Sequence, residues 1–476
     1  MRFAEELFEN YRLYVREEGA NRICLEGEKE PDLEMEQYFY VLFQKLVYFK
    51  KKENVQNAER PKEISLNSTI EQLNRSYEFS KGSSEMENIE DLVNREPVIQ
   101  FVNLLFADAI QKNASDIHIE AFEESIRIRV RIDGVLQDYP APHRAFYNAI
   151  VSRIKILGGL DIAQRRLPQD GRYTTGDRDE AVDFRISTVP TLYGESVVIR
   201  ILNKKKGLIR IEDLGWDVRR KREIKEILSL HQGMILVTGP TGSGKSTTLY
   251  AFLQELNDGR SKIITIEDPV EYQIHGVNQI PVNPDINLTF ATGLRSILRQ
   301  DPDIIMVGEI RDQETAKIGV QAALTGHLVF STLHTNDSIS AISRMLDLGV
   351  ENYLLAPALK IIIAQRLVRK ICSDCKIKYK PEKRWVDKFE LSSKKVFYTG
   401  AGCEKCGYTG YRGRTAIFEI LKVSEAINYA IQNRAPAREI KEIAFREGFV
   451  TLQQDAVSKV LEDLTTIEEI ARVIEI

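Results

Sequence analysis

Eight consecutive residues in the middle of the chain have the types and spacing that hold a phosphate group. They are Gly239, Pro240, Thr241, Gly242, Ser243, Gly244, Lys245 and Ser246. Glycines let backbone N–H groups converge on phosphate oxygens, the lysine meets the β- and γ-phosphates, and the serine hydroxyl binds Mg²⁺. An apolar run at 234–238 precedes the loop and a helix-compatible segment begins at Thr247. The order strand, loop, helix therefore predicts a nucleotide site rather than a surface turn.

Two later apolar runs each lead into an acidic residue. Residues 262–266 precede Glu267, and residues 303–307 precede Gly308 and Glu309. In an open parallel sheet, ligands bind outside the carboxyl ends of the strands, so we expect both carboxylates at the edge that carries the phosphate loop. One would complete the Mg²⁺ shell and the other would orient or deprotonate the attacking water. Helix caps and solvated turns are the alternative for acids that follow a strand, but two acids at one edge favour catalysis.

A fourth apolar run, at residues 328–333, has a histidine beyond each end, His327 and His334. A straight strand of this length extends roughly 23 Å, so both histidines cannot serve one phosphate. We expect His334, at the carboxyl end, to sense the γ-phosphate. His327 is then structural or lies at a subunit contact.

Arginines alternate with β-branched residues in a segment near residue 130. Because side chains alternate along a strand, Arg127, Arg129 and Arg131 share one face. Like charges on one face repel each other unless an acid or a phosphate lies opposite. Two interpretations stay open. Salt bridges to acids such as Asp116 and Glu120 neutralise the face, or arginines of this region reach a nucleotide held by another domain or subunit.

Four of the five cysteines form two C-x2-C pairs, with 27 residues between the pairs. They are Cys372, Cys375, Cys403 and Cys406. This spacing predicts a zinc site, and four thiolates fill a tetrahedron, so the Zn²⁺ would be structural rather than catalytic. Free thiols or a redox pair are the alternative.

Composition narrows the class of protein. The chain has 476 residues and a net charge of −4, so no overall positive field favours nucleic acid. The start is too acidic for a signal peptide, and no apolar run approaches the roughly 20 residues of a membrane helix. We therefore expect a cytoplasmic protein without a transmembrane segment, which would act at a membrane through partners.

Changes in composition and pattern divide the chain into six predicted regions. In order they are a small helical docking module (1–50), a polar linker (51–94), an arginine-presenting α+β domain (95–207), a nucleotide domain (208–370), a tetracysteine module (371–410) and a helical cap (411–476).

Several segments together resemble one family, the ATPases of type II secretion and type IV pilus assembly. The phosphate loop resembles the family's Walker A motif, and three later segments resemble its Asp box, Walker B motif and His box, at 264–271, 308–312 and 326–335. The segments 114–120 and 169–172 match the family's second N-terminal domain. The resemblance covers about residues 97 to 476. It implies an α/β fold in which an α+β (PAS-like) domain precedes a RecA-like P-loop domain along the chain. It also implies binding of ATP.

The resemblance also implies roles for four further arginines. Arg172 and Arg185 would act as arginine fingers, and Arg295 and Arg299 would serve the nucleotide pocket. Of the two glutamates, we favour Glu267 as the base, and we expect Glu309 to bind Mg²⁺ together with Ser246. The tetracysteine pattern resembles that of the assembly branch of the family, because the retraction motors lack such a pattern.

As a whole, the resemblance implies a homo-hexameric Mg-ATPase that drives pilus or pseudopilus assembly. Its partners would be a platform protein and a docking protein of the inner membrane. A nucleic-acid-stimulated translocase on the same core is the alternative, although no nucleic-acid partner is expected. A nucleotide-gated scaffold without hydrolysis is a third interpretation.

Overall fold

The computed structural model describes residues 14–17, 22–27, 46–51, 65–80, 96–176, 181–203, 209–391 and 395–474. The chain folds into two compact units, residues 1–205 and 206–476. Within the described residues, none of the helices combines the length and the apolar character of a membrane span.

The first described elements are strands, where the sequence analysis predicted a helical module. They are β1 (Tyr14–Glu17), β2 (Arg22–Gly27) and β3 (Leu46–Lys51). Strand β2 pairs antiparallel with β1 and parallel with β3. Short runs of aromatic and β-branched residues favour extended backbone, and they outweigh a helical spacing read from a short window. The prediction of helix is wrong for these strands, and the rest of residues 1–50 lies outside the described residues.

A helix, α1 (Leu66–Ser80), occupies part of the predicted polar linker. Its residues Leu66, Ile70, Leu73 and Tyr77 recur at helical spacing and pack into the core of the first unit. The Tyr77 ring also stacks on His143, with 3.9 Å between the ring centroids. The linker prediction is therefore wrong for this stretch, because four apolar positions suffice to bury one face of a polar helix.

The main body of the first unit is a six-stranded sheet covered by helices. The strand order is β6-β5-β4-β9-β8-β7, and every neighbouring pair is antiparallel. Inward-facing residues of the strands pack against the helices in one core. The elements are α2 (Glu96–Gln111), β4 (Ala114–Ala121), β5 (Ile126–Ile132), β6 (Val135–Tyr139), α3 (Tyr147–Leu157), β7 (Gln169–Thr175), β8 (Val182–Thr191) and β9 (Gly194–Asn203).

The second unit is built on a seven-stranded sheet with the order β12-β11-β13-β14-β10-β15-β18. Its pairs are parallel except for the edge pair β15 and β18. The strands are β10 (Gly233–Thr238), β11 (Ile263–Glu267), β12 (Asn278–Pro281), β13 (Ile304–Val307), β14 (Leu328–Leu333), β15 (Leu359–Ile371) and β18 (Tyr411–Lys422). Between the last two lie β16 (Lys376–Tyr379) and β17 (Phe397–Gly400), which pair with each other.

Helices cover both faces of this sheet, as the alternation of β10 illustrates. Met234 and Leu236 face one core, while Ile235 and Val237 face the other. A central strand that is buried on both faces reads as a continuous apolar run. The helices are α4 (Val218–Leu228), α5 (Lys245–Leu256), α6 (Phe290–Ile297), α7 (Gln313–Leu324), α8 (Ser338–Asp347), α9 (Asn352–Ala358), α10 (Lys383–Lys388), α11 (Glu425–Gln432), α12 (Ala437–Arg446), α13 (Leu452–Leu461) and α14 (Ile467–Val473).

The region predicted as a helical cap, 411–476, begins with strand rather than helix. Strand β18 closes the edge of the large sheet, and α11 to α14 follow it. The buried carboxylate of Glu469 on α14 then ties the C-terminal helices to the sheet, because it accepts hydrogen bonds from Arg369 on β15. The predicted cap thus shares its core with the nucleotide sheet.

Candidate functional site

The phosphate loop has the backbone that its glycines predict. Gly242 and Gly244 adopt φ angles of +78° and +89°, which side chains disfavour. At Gly239, a Cβ atom would lie 2.5 Å from the carbonyl oxygen of Gln365, too close for another residue. Helix α5 begins at Lys245, so its free N–H groups face the loop. The Ser243 hydroxyl is buried without a hydrogen-bond partner among the described residues, as expected of a group that awaits a phosphate oxygen.

Lys245 lies inside this loop. Its Nζ donates to the carbonyl oxygens of Gly239 and Pro240, at 2.8 and 3.1 Å. Burial lowers the pKa of Lys245 to about 8, with Arg366 acting in the same direction and Glu309 opposing it. A bound phosphate would place negative charge beside this buried ammonium group and stabilise its protonated form. The loop therefore fits a nucleotide phosphate.

Glu267 ends β11 at the same edge of the sheet, and its buried carboxylate is enclosed by three donors. Thr265 Oγ1 and Gln279 Nε2 donate to Oε1 at 2.6 and 3.0 Å, and the Tyr250 hydroxyl donates to Oε2. Burial, and then the Glu267 carboxylate, raise the pKa of Tyr250, which keeps its proton on the phenol. A carboxylate has about four lone-pair sites, so about one remains for a water molecule.

Glu309 follows β13 and lies in a more charged setting. Arg311 forms an ion pair with it, and His334 Nε2 lies 3.5 Å from Glu309 Oε2. Burial and the Lys245 charge lower the pKa of His334, so the imidazole is held neutral. The strands β10, β13 and β14 are parallel neighbours, so the phosphate loop, Glu309 and His334 follow the same carboxyl edge of the sheet.

The two histidines lie at opposite ends of β14, as the strand length requires. His327 Nδ1 lies 3.0 Å from the carbonyl oxygen of Ala322, at the end of α7. This contact anchors the start of β14 to the preceding helix. His334 alone of the two lies at the carboxyl edge.

Arg295 and Arg299 lie at the end of α6 and just beyond it. Arg295 forms an ion pair with Glu314 on α7. Arg299 donates to the Arg295 carbonyl oxygen at 3.0 Å and to the Ser296 hydroxyl at 3.1 Å. The contacts described for these arginines are therefore local to α6 and α7.

The arginines of β5 are paired with acids. Arg127 contacts Asp138 at 2.9 Å, and Arg129 contacts Glu120 at 2.7 Å. Arg131 lies 3.4 Å from Asp116. Of the two interpretations left open by the sequence, salt bridges describe this strand.

Across the same sheet, the register aligns further arginines. Arg172 on β7 is the cross-strand partner of Arg185 on β8, and Arg185 is the partner of Arg200 on β9. Arg200 in turn lies 3.3 Å from Asp116 on β4. We call Arg172, Arg185 and Arg200 the arginine row. Arg200 was not singled out from the sequence, because its alignment depends on the pairing of three strands.

The four cysteines of the C-x2-C pairs meet in one cluster. Their sulfur atoms all lie within 4.8 Å of one another. The Sγ–Sγ distances are 3.9 Å from Cys372 to Cys403, 3.8 Å from Cys375 to Cys406 and 3.7 Å from Cys403 to Cys406. Zinc–sulfur bonds of about 2.3 Å give edges of about 3.8 Å in a tetrahedron. The cluster therefore fits Zn²⁺.

Backbone groups also favour a thiolate in this cluster. The N–H groups of Cys403 and Gly410 lie 3.2 and 3.3 Å from Cys406 Sγ. Burial raises the pKa of the Cys406 thiol, but these donors and the neighbouring cysteines outweigh it and lower that pKa, whereas burial and the neighbouring cysteines raise the pKa of Cys375. Thiolates are the form in which cysteines bind metal.

The parallel sheet and the phosphate loop define a P-loop ATPase of the RecA-like class, as predicted from the sequence. The family described as "Type II/IV secretion system protein" matches residues 91–472. The chain belongs to this family.

Named relatives agree with this assignment. The chain is 46% identical over 409 residues to the type II secretion system protein E of Aeromonas hydrophila, covering 85% of this chain and 81% of that protein. It is 48% identical over 404 residues to the type IV pilus assembly ATPase PilB of Thermus thermophilus, covering 84% of this chain and 45% of PilB. Among solved structures, it is similar to the pilus retraction motor PilT with bound ADP, with 28% identity and a TM-score of 0.53, over 77% of this chain and 95% of that one.

Proposed function

We propose that this chain hydrolyses ATP to power the assembly of a type IV pilus or of a type II secretion pseudopilus. The observation that carries the proposal is the carboxyl edge of the large parallel sheet, along which the phosphate loop, Glu267, Glu309 and His334 follow the ends of four strands. Relatives named as ATPases of these two systems, at 46 to 48% identity, support the biological process.

Within the site, each group has a proposed task. Lys245 holds the β- and γ-phosphates, Ser246 and Glu309 bind Mg²⁺, and His334 senses the γ-phosphate. Glu267 is the proposed base, because its three donors fix the carboxylate and leave room for one water. Bound Mg²⁺ would supply charge neutralisation at the phosphates.

Arg172 and Arg185 are proposed as arginine fingers that act on a nucleotide held by another subunit. The cross-strand register supports this, because it places their like charges side by side on the outward-facing side of the sheet. Guanidinium groups that lie side by side can bind phosphate oxygens through charge-assisted hydrogen bonds. We propose that Arg295 and Arg299, at the end of α6 and just beyond it, serve the nucleotide pocket.

The proposed assembly is a homo-hexamer on the cytoplasmic side of the inner membrane, in contact with a platform protein and a docking protein. A ring is the assembly in which one subunit's arginines reach the next subunit's nucleotide at every interface. The tetracysteine cluster would hold a structural Zn²⁺ through Cys372, Cys375, Cys403 and Cys406.

The experiment that tests this function measures Mg-ATP turnover of the full chain with and without single-stranded DNA or RNA, over a series of salt concentrations. We expect turnover that polynucleotide leaves unchanged, and none in a Lys245→Ala variant. Strong, salt-sensitive stimulation by polynucleotide would identify a translocase instead. Nucleotide binding without turnover would identify a scaffold.

Adding candidate platform and docking proteins one by one to the same assay separates the two systems. We expect turnover to rise with the partners of one system, pilus or secretion. A response to neither set would contradict the proposed process while leaving the ATPase activity intact.

A further inference from the structure

Strand β15 contacts the phosphate loop through Gln365 and Arg366. The Gln365 side chain is buried, and its Oε1 accepts a hydrogen bond of 2.7 Å from Thr248 on α5. A Cβ atom on Gly244 would lie 2.8 Å from Gln365 Nε2. These close contacts fix the strand against the loop.

Arg366 reaches from this strand to residues 334–338, which we call the His334 segment. Its Nη2 donates to the Asn336 backbone oxygen at 2.9 Å and to the Asn336 side-chain oxygen at 3.3 Å, while Nη1 donates to the Gln365 carbonyl at 3.1 Å. A Cβ atom on Gly239 would lie 3.2 Å from Nη1. One rigid, planar guanidinium therefore bonds to β15 and to Asn336 and lies beside Gly239 of the phosphate loop.

Two other contacts hold the same segment. The Thr335 N–H donates to Thr238 Oγ1 at 2.9 Å. The buried Glu419 of β18 accepts from the backbone N–H and the hydroxyl of Ser338, at 2.9 and 2.6 Å. Between these two anchor points lies Asn336, which Arg366 holds. The His334 side chain itself is half exposed, so the position of its backbone decides where the imidazole lies.

We propose that Arg366 is a positioning residue for ATP hydrolysis: it holds the His334 segment against the phosphate loop so that the imidazole faces the γ-phosphate. The inference rests on the role proposed above for His334. Because Arg366 acts through His334, removing both side chains lowers turnover no further than removing the more important one alone.

A double-mutant cycle tests this coupling. Turnover at saturating Mg-ATP and equilibrium ATP affinity are measured for the full-length wild type, Arg366→Gln, His334→Ala and the double variant. Lys370→Gln is the matched control, because Lys370 is an exposed cation on the same strand. Arg366→Lys is a second variant, which keeps the charge but loses the planar, multiple contact.

We expect Arg366→Gln to lower kcat at least about tenfold while ATP affinity changes less than about threefold, since the contact orients a group rather than binds the nucleotide. The double variant should be within about twofold of the slower single variant. Arg366→Lys should also be slow, and Lys370→Gln should match the wild type.

Three results would overturn the inference. If the losses of the two single variants multiply in the double variant, Arg366 acts independently of His334. If Arg366→Lys has full turnover, the positive charge matters and the positioning contact does not. If His334→Ala has full turnover, the role proposed for His334 is itself wrong, and Arg366 cannot act through it.

Discussion

The two units of the chain carry their charged groups in different ways. At the phosphate edge, Lys245 contacts two carbonyl oxygens and Glu267 accepts three hydrogen bonds. In the arginine row, the register instead places Arg172 beside Arg185 and Arg185 beside Arg200. Like charges directly opposite each other are unfavourable in a strand pair, and Arg200 at one end of the row pairs with Asp116.

This difference indicates that the two regions have different functions. The residues of the phosphate edge all belong to one chain, and its loop fits the phosphates of a nucleotide. Two members of the arginine row, Arg172 and Arg185, are proposed instead to act on a nucleotide held by another subunit. Changes at the phosphate edge should therefore abolish binding or chemistry, whereas changes in the row should slow turnover and leave binding intact.

The largest expected effect comes from Lys245→Ala. ATP affinity should fall at least about a hundredfold, because charge-assisted hydrogen bonds to two phosphates are lost. Binding of a fluorescent ATP analogue measures it. Lys225→Ala is the control, since Lys225 is an exposed cation of the same unit that pairs with Glu212. Affinity within threefold of the wild type would show that the loop does not hold the phosphates.

Glu267→Gln should lower turnover at least about a hundredfold and leave ATP binding in place. An amide cannot take the proton of the attacking water. Single-turnover hydrolysis with excess protein measures the chemical step directly. Glu351→Gln is the matched control, because Glu351 is an acid of the same unit that pairs with Lys317. If Glu309→Gln blocks chemistry and Glu267→Gln does not, the roles of the two acids are reversed.

In the arginine row, Arg172→Ala or Arg185→Ala should slow turnover of the assembled protein at least about tenfold, because transition-state charge loses its partner. ATP affinity of separated subunits should stay the same. The control is Arg127→Ala on the same sheet, whose guanidinium pairs with Asp138. An equal loss of affinity in single subunits would assign the row to the subunit's own pocket.

The smallest effect on turnover is expected at the cysteine cluster, where Cys372→Ser should change kcat less than about threefold while lowering the melting temperature by several degrees, since structural zinc stabilises the fold. Metal analysis should give one zinc per wild-type chain. Cys24→Ser, outside the cluster, controls for the loss of a thiol. A metal-free wild type with four reactive thiols would contradict the zinc assignment.

Patterns within short segments of the sequence predicted several strands and the cysteine cluster. Apolar runs located β10, β11, β13 and β14, and the residues at their carboxyl ends predicted that the phosphate loop, both glutamates and His334 lie along one edge of the sheet. Cysteine spacing predicted a cluster whose geometry fits zinc.

The contacts that the sequence did not predict depend on the pairing of segments that are far apart along the chain. Tyr250 and Gln279 reach Glu267 from α5 and β12, and no spacing signals that meeting. The contact from Arg366 to Asn336 likewise requires β15 to run beside β10. Helix α1 is a different case, because Leu66, Ile70, Leu73 and Tyr77 carry a helical spacing that the polar composition around them obscured.

The central claim is that arginines of one subunit complete the nucleotide site of another, and mixing two inactive variants tests it most directly. A Lys245→Ala chain keeps its arginine row, and an Arg172→Ala, Arg185→Ala chain keeps its phosphate loop. In an equal mixture that exchanges subunits, we predict turnover far above the average of the two alone, rising toward about a quarter of wild type as random neighbours complement each other around the ring. Turnover equal to that average, in rings shown to be mixed, would contradict the account.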